Sequence, residues 1–138
     1  MTRYGRVCWI YMMVVLLSSC GWAARPGETL LDARDDFTQR LRWHDCNGAG
    51  RYLAPEQQKT YLENCRVDED LRFVGVEAQS VELSDDKRKA DTVTLLEYYR
   101  LPSVVVKKCR LRQEWVYQQG EGMKQGVWKV VSPFPELP

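Results

Sequence analysis

The sequence has few of the residues and motifs that usually reveal a catalytic or ligand-binding role. Its 138 residues include one histidine, and they contain no nucleophile elbow, phosphate-binding loop or dinucleotide-binding fingerprint. No CxxC or HxxxH spacing is present, so we expect neither a metal site nor a cofactor. Basic and acidic residues number 20 and 19, which leaves no strongly basic surface for nucleic acid. These absences remove nucleic-acid binding and the easily recognised enzyme classes.

The sequence also lacks an apolar run long enough to cross a membrane as a helix. The uncharged run Val7–Leu17 covers 11 residues, whereas a helix that crosses the bilayer core needs ~20. Arg3 and Arg6 precede this run and small residues follow it, which is the layout of a secretory signal peptide. An uncleaved membrane anchor is the weaker alternative.

The end of this segment, Leu17-Ser18-Ser19-Cys20, resembles the lipobox of a bacterial lipoprotein. The resemblance implies cleavage before Cys20 and lipidation of that cysteine, palmitate included, so that several acyl chains hold the protein on the membrane. In such lipoproteins an aspartate after the cysteine favours inner-membrane retention. Gly21 stands there, which favours the outer membrane facing the periplasm. Ordinary cleavage after Ala23, with release of a soluble secreted domain, is the alternative.

These boundaries predict a signal peptide (1–19), a lipidated cysteine with a tether (20–28), one α+β domain (29–133) and a C-terminal tail (134–138). The chain that follows the signal peptide has the usual length of one compact domain. We expect no second domain within it.

Two helical segments are predicted at the start of the domain. Thr29 is the expected N-cap of the first helix, and Asn47–Gly50 should break that helix. A second, short helix is predicted from Pro55 to about Cys65. The first helix should bury one stripe of residues at helical spacing, which consists of Leu30, Ala33, Phe37, Leu41 and His44.

After residue 70 the apolar period changes to two, which predicts four strands joined by hairpins in an antiparallel meander. Their expected bounds are Leu71–Leu83, Asp91–Leu101, Val104–Gln118 and Gly126–Val131. The helices should pack on the apolar face of this sheet, which gives an α+β fold. We expect that face to carry Val93, Leu95, Glu97 and Tyr99 of the second strand, Cys109, Leu111, Gln113, Trp115 and Tyr117 of the third, and Trp128 and Val130 of the fourth. The hydrated face should carry Lys108, Arg110, Arg112 and Glu114.

Three cysteines in the domain raise the question of a disulfide, which an oxidising envelope compartment would permit. A bond between Cys46 and Cys65 is preferred, because both lie near the ends of the predicted helices. It would close a loop of ~20 residues and contribute ~3 kcal/mol. The alternatives are no disulfide or a bridge to Cys109.

The element order and several short motifs resemble the nuclear transport factor 2-like (NTF2-like, SnoaL-like) cone fold. The motifs are Trp43-His44-Asp45 with Gly48-Ala49, the segment Tyr52–Glu56, and the late strands Arg112–Tyr117 and Gly126–Val131. The resemblance implies a curved sheet around a cone-shaped cavity. The superfamily includes isomerases, dehydratases, ligand binders and non-catalytic assembly partners, so the fold does not decide the function.

Two titratable residues are the weak candidates for catalysis. If His44 and Glu97 both point into the cone, they could act as a general base and a proton-transfer group. The plainer interpretations are a histidine satisfied by the backbone or water and a glutamate paired with a basic residue. An apolar ligand pocket could be lined by Tyr99, Gln113, Trp115, Tyr117 and Trp128, although core packing is the plainer role for the aromatic residues.

The hypothesis that the sequence favours is a non-catalytic envelope lipoprotein whose domain binds a protein partner or a small apolar ligand. A small isomerase or hydratase that uses His44 and Glu97 is the enzymatic alternative. A structural accessory of an envelope assembly complex is a third possibility.

Overall fold

The computed structural model describes residues 26–122 and 124–138, so the predictions for the signal peptide and for Cys20 lie outside the described residues. The described chain contains three helices, α1 (Pro26–Arg42), α2 (Cys46–Gly50) and α3 (Pro55–Val67). Four strands follow, β1 (Leu71–Leu83), β2 (Lys89–Arg100), β3 (Lys107–Gln118) and β4 (Val127–Val130). They form one antiparallel sheet in the order β1-β2-β3-β4. The predicted α+β class is confirmed.

None of the helices in the described part of the chain has both the length and the apolar character needed to cross a membrane.

The first helix starts earlier and ends earlier than predicted. It begins at Pro26, a residue suited to a first helical turn, so the predicted N-cap at Thr29 is wrong. Leu30, Phe37 and Leu41 are buried at helical spacing and dock the helix on the sheet. Because the helix ends at Arg42, the prediction that His44 continues this stripe is also wrong.

The buried face of the sheet agrees with the prediction for β3 but not with the prediction for β2. Buried and exposed residues alternate along β3, and its partner residues on β2 share the same face. The buried residues of β2 are Ala90, Thr92, Thr94, Leu96 and Tyr98. The predicted inner face of β2 was therefore one residue out of phase, and Val93, Leu95, Glu97 and Tyr99 lie on the outer face. The predicted inner and hydrated faces of β3, and Trp128 and Val130 of β4, are confirmed.

The short strand β4 gains a second neighbour from the segment before α3. Leu53 forms a parallel bridge with Val130. The amide of Ala54 donates to the carbonyl of Val130 over 2.8 Å, and the amide of Val130 donates to the carbonyl of Tyr52 over 2.7 Å. These bonds join the helical layer to the edge of the sheet.

The Cys46–Cys65 disulfide is confirmed, with the two Cα atoms 5.9 Å apart. It links the start of α2 to the last turns of α3. Cys109, on β3, is the free cysteine among the described residues and is half-buried.

Candidate functional site

A groove of about 600 Å³ at one end of the sheet combines apolar walls with polar side chains. We call it the end groove. It lies between α3, the start of β1, the end of β2 and the C-terminal segment 133–137. Its apolar walls are Leu41, Tyr61, Leu71, Phe73 and Phe134, and polar groups at its margins include His44, Asp68, Asp70 and Arg100. This volume is within the usual range of ligand-binding sites.

An ion pair at the end of β2 closes one side of the end groove. The two guanidinium nitrogens of Arg100 contact the two carboxylate oxygens of Asp68, and its Nη2 also donates to the carbonyl of Leu137 over 2.8 Å. The hydrogen bond to Asp68 raises the pKa of Arg100, so this charge is permanent. The pair ties α3, β2 and the C-terminal segment together.

The predicted C-terminal tail is docked on the domain and forms a wall of the end groove. Leu137 is buried, and the rings of Phe134 and Tyr61 meet at 5.2 Å in an edge-on arrangement. Burial raises the pKa of the Tyr61 phenol. The carbonyl of Pro138 accepts hydrogen bonds from Tyr98 Oη at 3.3 Å and from Lys107 Nζ at 3.1 Å. The segment therefore occupies part of the concave surface that a ligand would need.

His44 lies in the turn between α1 and α2, in the left-handed backbone region with φ 55°. Its Nε2 is 3.3 Å from the carbonyl oxygen of Cys65 and 4.0 Å from the sulfur of that residue. Its Nδ1 is buried and has no hydrogen-bond partner among the described residues. The ring is thus held at the disulfide rather than in the middle of the sheet.

Glu97 lies on the outer face of β2, and its carboxylate pairs with Lys108 Nζ. It is not among the residues that line the end groove, where His44 lies. The structure does not bring the two candidate catalytic groups together, so the pairing required by the isomerase alternative is absent. The ion pair with a basic residue was the plainer interpretation of Glu97.

The aromatic residues proposed for a ligand pocket mostly fill the core. Trp115 is fully buried and packs edge-on against Phe37 and Tyr52, with ring centroids 5.7 Å and 6.3 Å away. Its Nε1 donates to Thr92 Oγ1 over 3.0 Å.

The other members of that set do not form a pocket together either. The indole of Trp128 is buried against Tyr117 at 5.4 Å, and its Nε1 donates to Thr29 Oγ1 over 3.1 Å. Gln113 is buried in the sheet, and Tyr99 lies on the outer face. The predicted pocket is closed by packing.

A charged network that the sequence analysis missed holds the turn around His44. Arg40 Nε contacts Asp36 Oδ2 at 2.7 Å and its Nη1 contacts Asp45 Oδ2 at 2.8 Å. The amide of Gly48 donates to Asp45 Oδ1 over 2.9 Å. A Cβ at position 48 would collide with the Asp45 carboxylate and the Arg40 guanidinium, so a larger residue there would have to displace the ends of these two side chains. The four-residue spacing of Asp36 and Arg40 was the available signal.

The loop between β2 and β3 exposes consecutive apolar residues near the end groove. Val104–Val106 was predicted to begin the third strand, but β3 begins at Lys107, so that prediction is wrong. The three valines are 76%, 68% and 48% exposed, and Leu101 in the same loop is also exposed. We call residues 101–106 the apolar tip. The amide of Leu101 donates to the carbonyl of Asp70 over 3.0 Å, which places the apolar tip beside the end groove.

Comparisons with known proteins show the fold and leave the function open. No protein-family model and no curated protein matches the chain. A crystal structure of a SEC-C motif containing protein from Psychrobacter arcticus matches with a TM-score of 0.60 at 12% identity, over 86% of this chain and 66% of that one. A solution structure of a SEC-C motif containing protein from Rhodopseudomonas palustris matches with a TM-score of 0.51 at 10% identity, over 72% of each chain. This chain thus spans just under two thirds of the first protein, and at these identities the likeness is one of fold.

Proposed function

We propose that this protein is a membrane-anchored envelope lipoprotein whose domain is a non-catalytic interaction module. It binds a protein partner through the apolar tip and the adjoining margin of the end groove. The observation that carries the proposal is the exposure of three consecutive valines in one loop. Single exposed apolar residues are ordinary, but a contiguous group marks an interaction surface.

The position of the apolar tip favours a protein partner over the membrane that would hold the lipid. The Thr29–Trp128 hydrogen bond places the start of α1 beside β4, at the end of β3. The apolar tip lies at the beginning of β3. A strand of 12 residues is about 40 Å long at ~3.3 Å per residue. Lipid on Cys20 would hold the first end close to the bilayer and direct the apolar tip away from it, towards the periplasm.

We also propose that the domain has the NTF2-like fold and that the lipid holds it on the outer membrane, facing the periplasm. Helices that precede a long antiparallel meander and pack on its inner face are consistent with that superfamily. Trp115 is buried in the core, and Glu97 pairs with Lys108 and does not line the end groove with His44. Both observations favour the non-catalytic members of that superfamily.

Two measurements test the proposal separately. Labelled palmitate should enter the wild-type protein in a bacterial host and should fail to enter Cys20→Ser. A photo-crosslinking amino acid at position 105 should give one discrete adduct in intact membranes. The matched control is position 127, because Val127 is 50% exposed and lies at the opposite end of β3.

The two outcomes have different meanings. Absence of label would overturn the lipoprotein assignment while leaving the interaction surface in place. Equal adducts from positions 105 and 127, or none from 105, would overturn the interaction surface. An adduct with lipid alone would show that the apolar tip docks on a membrane.

A further inference from the structure

Three side chains with metal-binding atoms meet at the corner between α1, α2 and α3. The ligand atoms of His44, Cys46 and Cys65 all lie within 4.8 Å of one another. In the oxidised chain the two sulfurs are bonded to each other and cannot serve as thiolate ligands. The corner is therefore a metal site only in the reduced chain.

We propose that reduction of the Cys46–Cys65 disulfide creates a site for one Zn²⁺ ion. The two thiolates and Nε2 of His44 are the protein ligands, and water takes the fourth position. Tetrahedral zinc has Zn–S bonds of about 2.3 Å and Zn–N bonds of about 2.0–2.1 Å, which places its ligand atoms about 3.5–3.8 Å apart. The 4.0 Å distance between His44 Nε2 and Cys65 Sγ is within a few tenths of that range.

The backbone around His44 is held by contacts that do not depend on the disulfide. The amide of His44 donates to the carbonyl of Leu41 over 3.0 Å, and the amide of Asp45 donates to the carbonyl of Arg40 over 2.9 Å. The Arg40–Asp45 ion pair reinforces the same turn. Nδ1 of His44 is buried and has no hydrogen-bond partner among the described residues, whereas Nε2 lies 3.3 Å from the carbonyl of Cys65 and must leave that contact to bind zinc.

A second cavity, of about 710 Å³, gives solvent access to this corner. Both cysteines and His44 line it, together with Arg42, Arg66, Arg72 and Glu69. The open cavity also admits the ion and the water ligand.

Reduction of the Cys46–Cys65 disulfide requires an external dithiol. The dithiol gives two electrons and two protons to the Cys46–Cys65 bond, which breaks to two thiols, and the dithiol becomes a disulfide. Zinc then displaces the two thiol protons, which are released to solvent. Bound zinc and the disulfide exclude each other, so zinc would protect the pair from oxidation. The inference of a zinc site does not depend on the proposed location of the protein in the cell envelope.

The test uses the full chain with Cys8 and Cys20 replaced by serine, reduced without oxygen and freed of reductant. Titration with Co²⁺ should give tetrahedral d–d bands and a thiolate charge-transfer band at one ion per chain, and Zn²⁺ should displace the cobalt. The oxidised chain should give neither band. Loss of a group that only supports a ligand weakens metal binding by about 10–100-fold, so His44→Gln should weaken it by at least about tenfold. Cys109→Ser should bind as the parent does.

Circular dichroism of the reduced chain separates binding from folding. If the reduced chain is folded, stoichiometric binding that depends on His44 supports the site. If it is unfolded without metal, zinc should refold the parent and should fail to refold His44→Gln. Equal zinc affinity in the parent and in His44→Gln, or no stoichiometric binding by the reduced parent, would overturn the proposal.

Discussion

The two ends of the sheet's inner face are built differently. At one end, Trp115 packs against Phe37 of α1 and Trp128 lies beside Thr29 near the start of that helix, and each indole N–H donates to a threonine hydroxyl. At the other end the helical layer leaves the end groove open, and the neighbouring apolar tip exposes its valines. Apolar side chains thus stabilise the fold at the first end and form accessible surface at the second. The proposed binding surface therefore lies at the end opposite the two buried tryptophans.

The largest effect should come from a cavity at the end of the sheet that Trp115 and Trp128 fill, which we call the filled end. Trp115→Ala removes a fully buried ring that contacts Phe37 and Tyr52, and we expect a loss of about 3–5 kcal/mol in the free energy of unfolding. Trp43→Ala is the matched control, because Trp43 is 73% exposed, and it should change stability by less than about 0.5 kcal/mol. Urea denaturation measures both. Similar losses in the two variants would contradict the assignment of stability to the filled end.

A smaller effect should come from the docked C-terminal segment. Leu137→Ala removes a buried side chain but leaves the carbonyl that accepts from Arg100. We expect a loss of about 2 kcal/mol, at the low end for buried leucines, because this segment lies at the margin of the core. Glu136→Ala is the exposed neighbour for comparison and should leave stability almost unchanged. An unchanged unfolding midpoint in Leu137→Ala would show that the segment does not support the groove wall.

The charged network between the two ends should make stability depend on pH in acid. Hydrogen bonds from Arg40 and Tyr52 lower the pKa of Asp36, and those from the Gly48 amide and Arg40 lower the pKa of Asp45. Carboxylates with a lowered folded-state pKa contribute stability above the unfolded value of about 3.9, and this contribution is lost as the pH falls through the folded value. Arg40→Met should therefore reduce the loss of stability below about pH 4.

The measurement for that network is urea denaturation of wild type and variants between about pH 5 and pH 2. Arg42→Met removes the same charge from the neighbouring turn and should keep the wild-type dependence on pH. Solvent screens these half-exposed pairs, so the difference between variants should be small. Parallel curves for wild type and Arg40→Met would contradict the role given to the network.

The smallest effect on stability should come from the apolar tip, where the effect on binding is expected instead. Val105→Asp replaces an exposed side chain and should change the free energy of unfolding by less than about 0.5 kcal/mol. The adduct formed by a crosslinker at the neighbouring position 104 should nevertheless disappear in this variant. Val127→Asp should keep that adduct. A large loss of stability in Val105→Asp would show that the loop is structural.

Much of the architecture could be predicted because inward-facing residues and charged outward-facing residues alternate regularly along β3. Its exposed residues are charged and its inner residues include Leu111 and Trp115, so only one face can be buried. The positions of Cys46 and Cys65 near the ends of the predicted helices made their bond the preferred one, and the structure confirms it. By contrast, β2 has apolar residues on both faces, and a strand of that kind does not reveal its register. The predicted inner face of β2 was therefore one residue out of phase. This error put Glu97 on the inner face and made it a candidate partner for His44.

Local pattern also failed where the chain leaves a regular element. The β-branched residues Val104–Val106 favour a strand, but the pairing of β2 with β3 ends at Tyr98 and Lys107, and the three valines lie in the exposed loop beyond it. The helical spacing that seemed to include His44 ends at Arg42, where contacts from Arg40 to Asp45 turn the chain. Both errors concern residues of the proposed sites.

The sequence by itself determined the α+β class, the number of strands and the buried face of β3, and it gave a preference among the possible disulfides. These features depend on periodicity and on spacing along the chain, which a single sequence contains. Only the tertiary structure decided which face of β2 is buried, which aromatic residues fill the core, and which end of the sheet stays open. Those outcomes depend on pairing and packing between distant segments, because a side chain is buried or exposed according to what the rest of the fold places beside it.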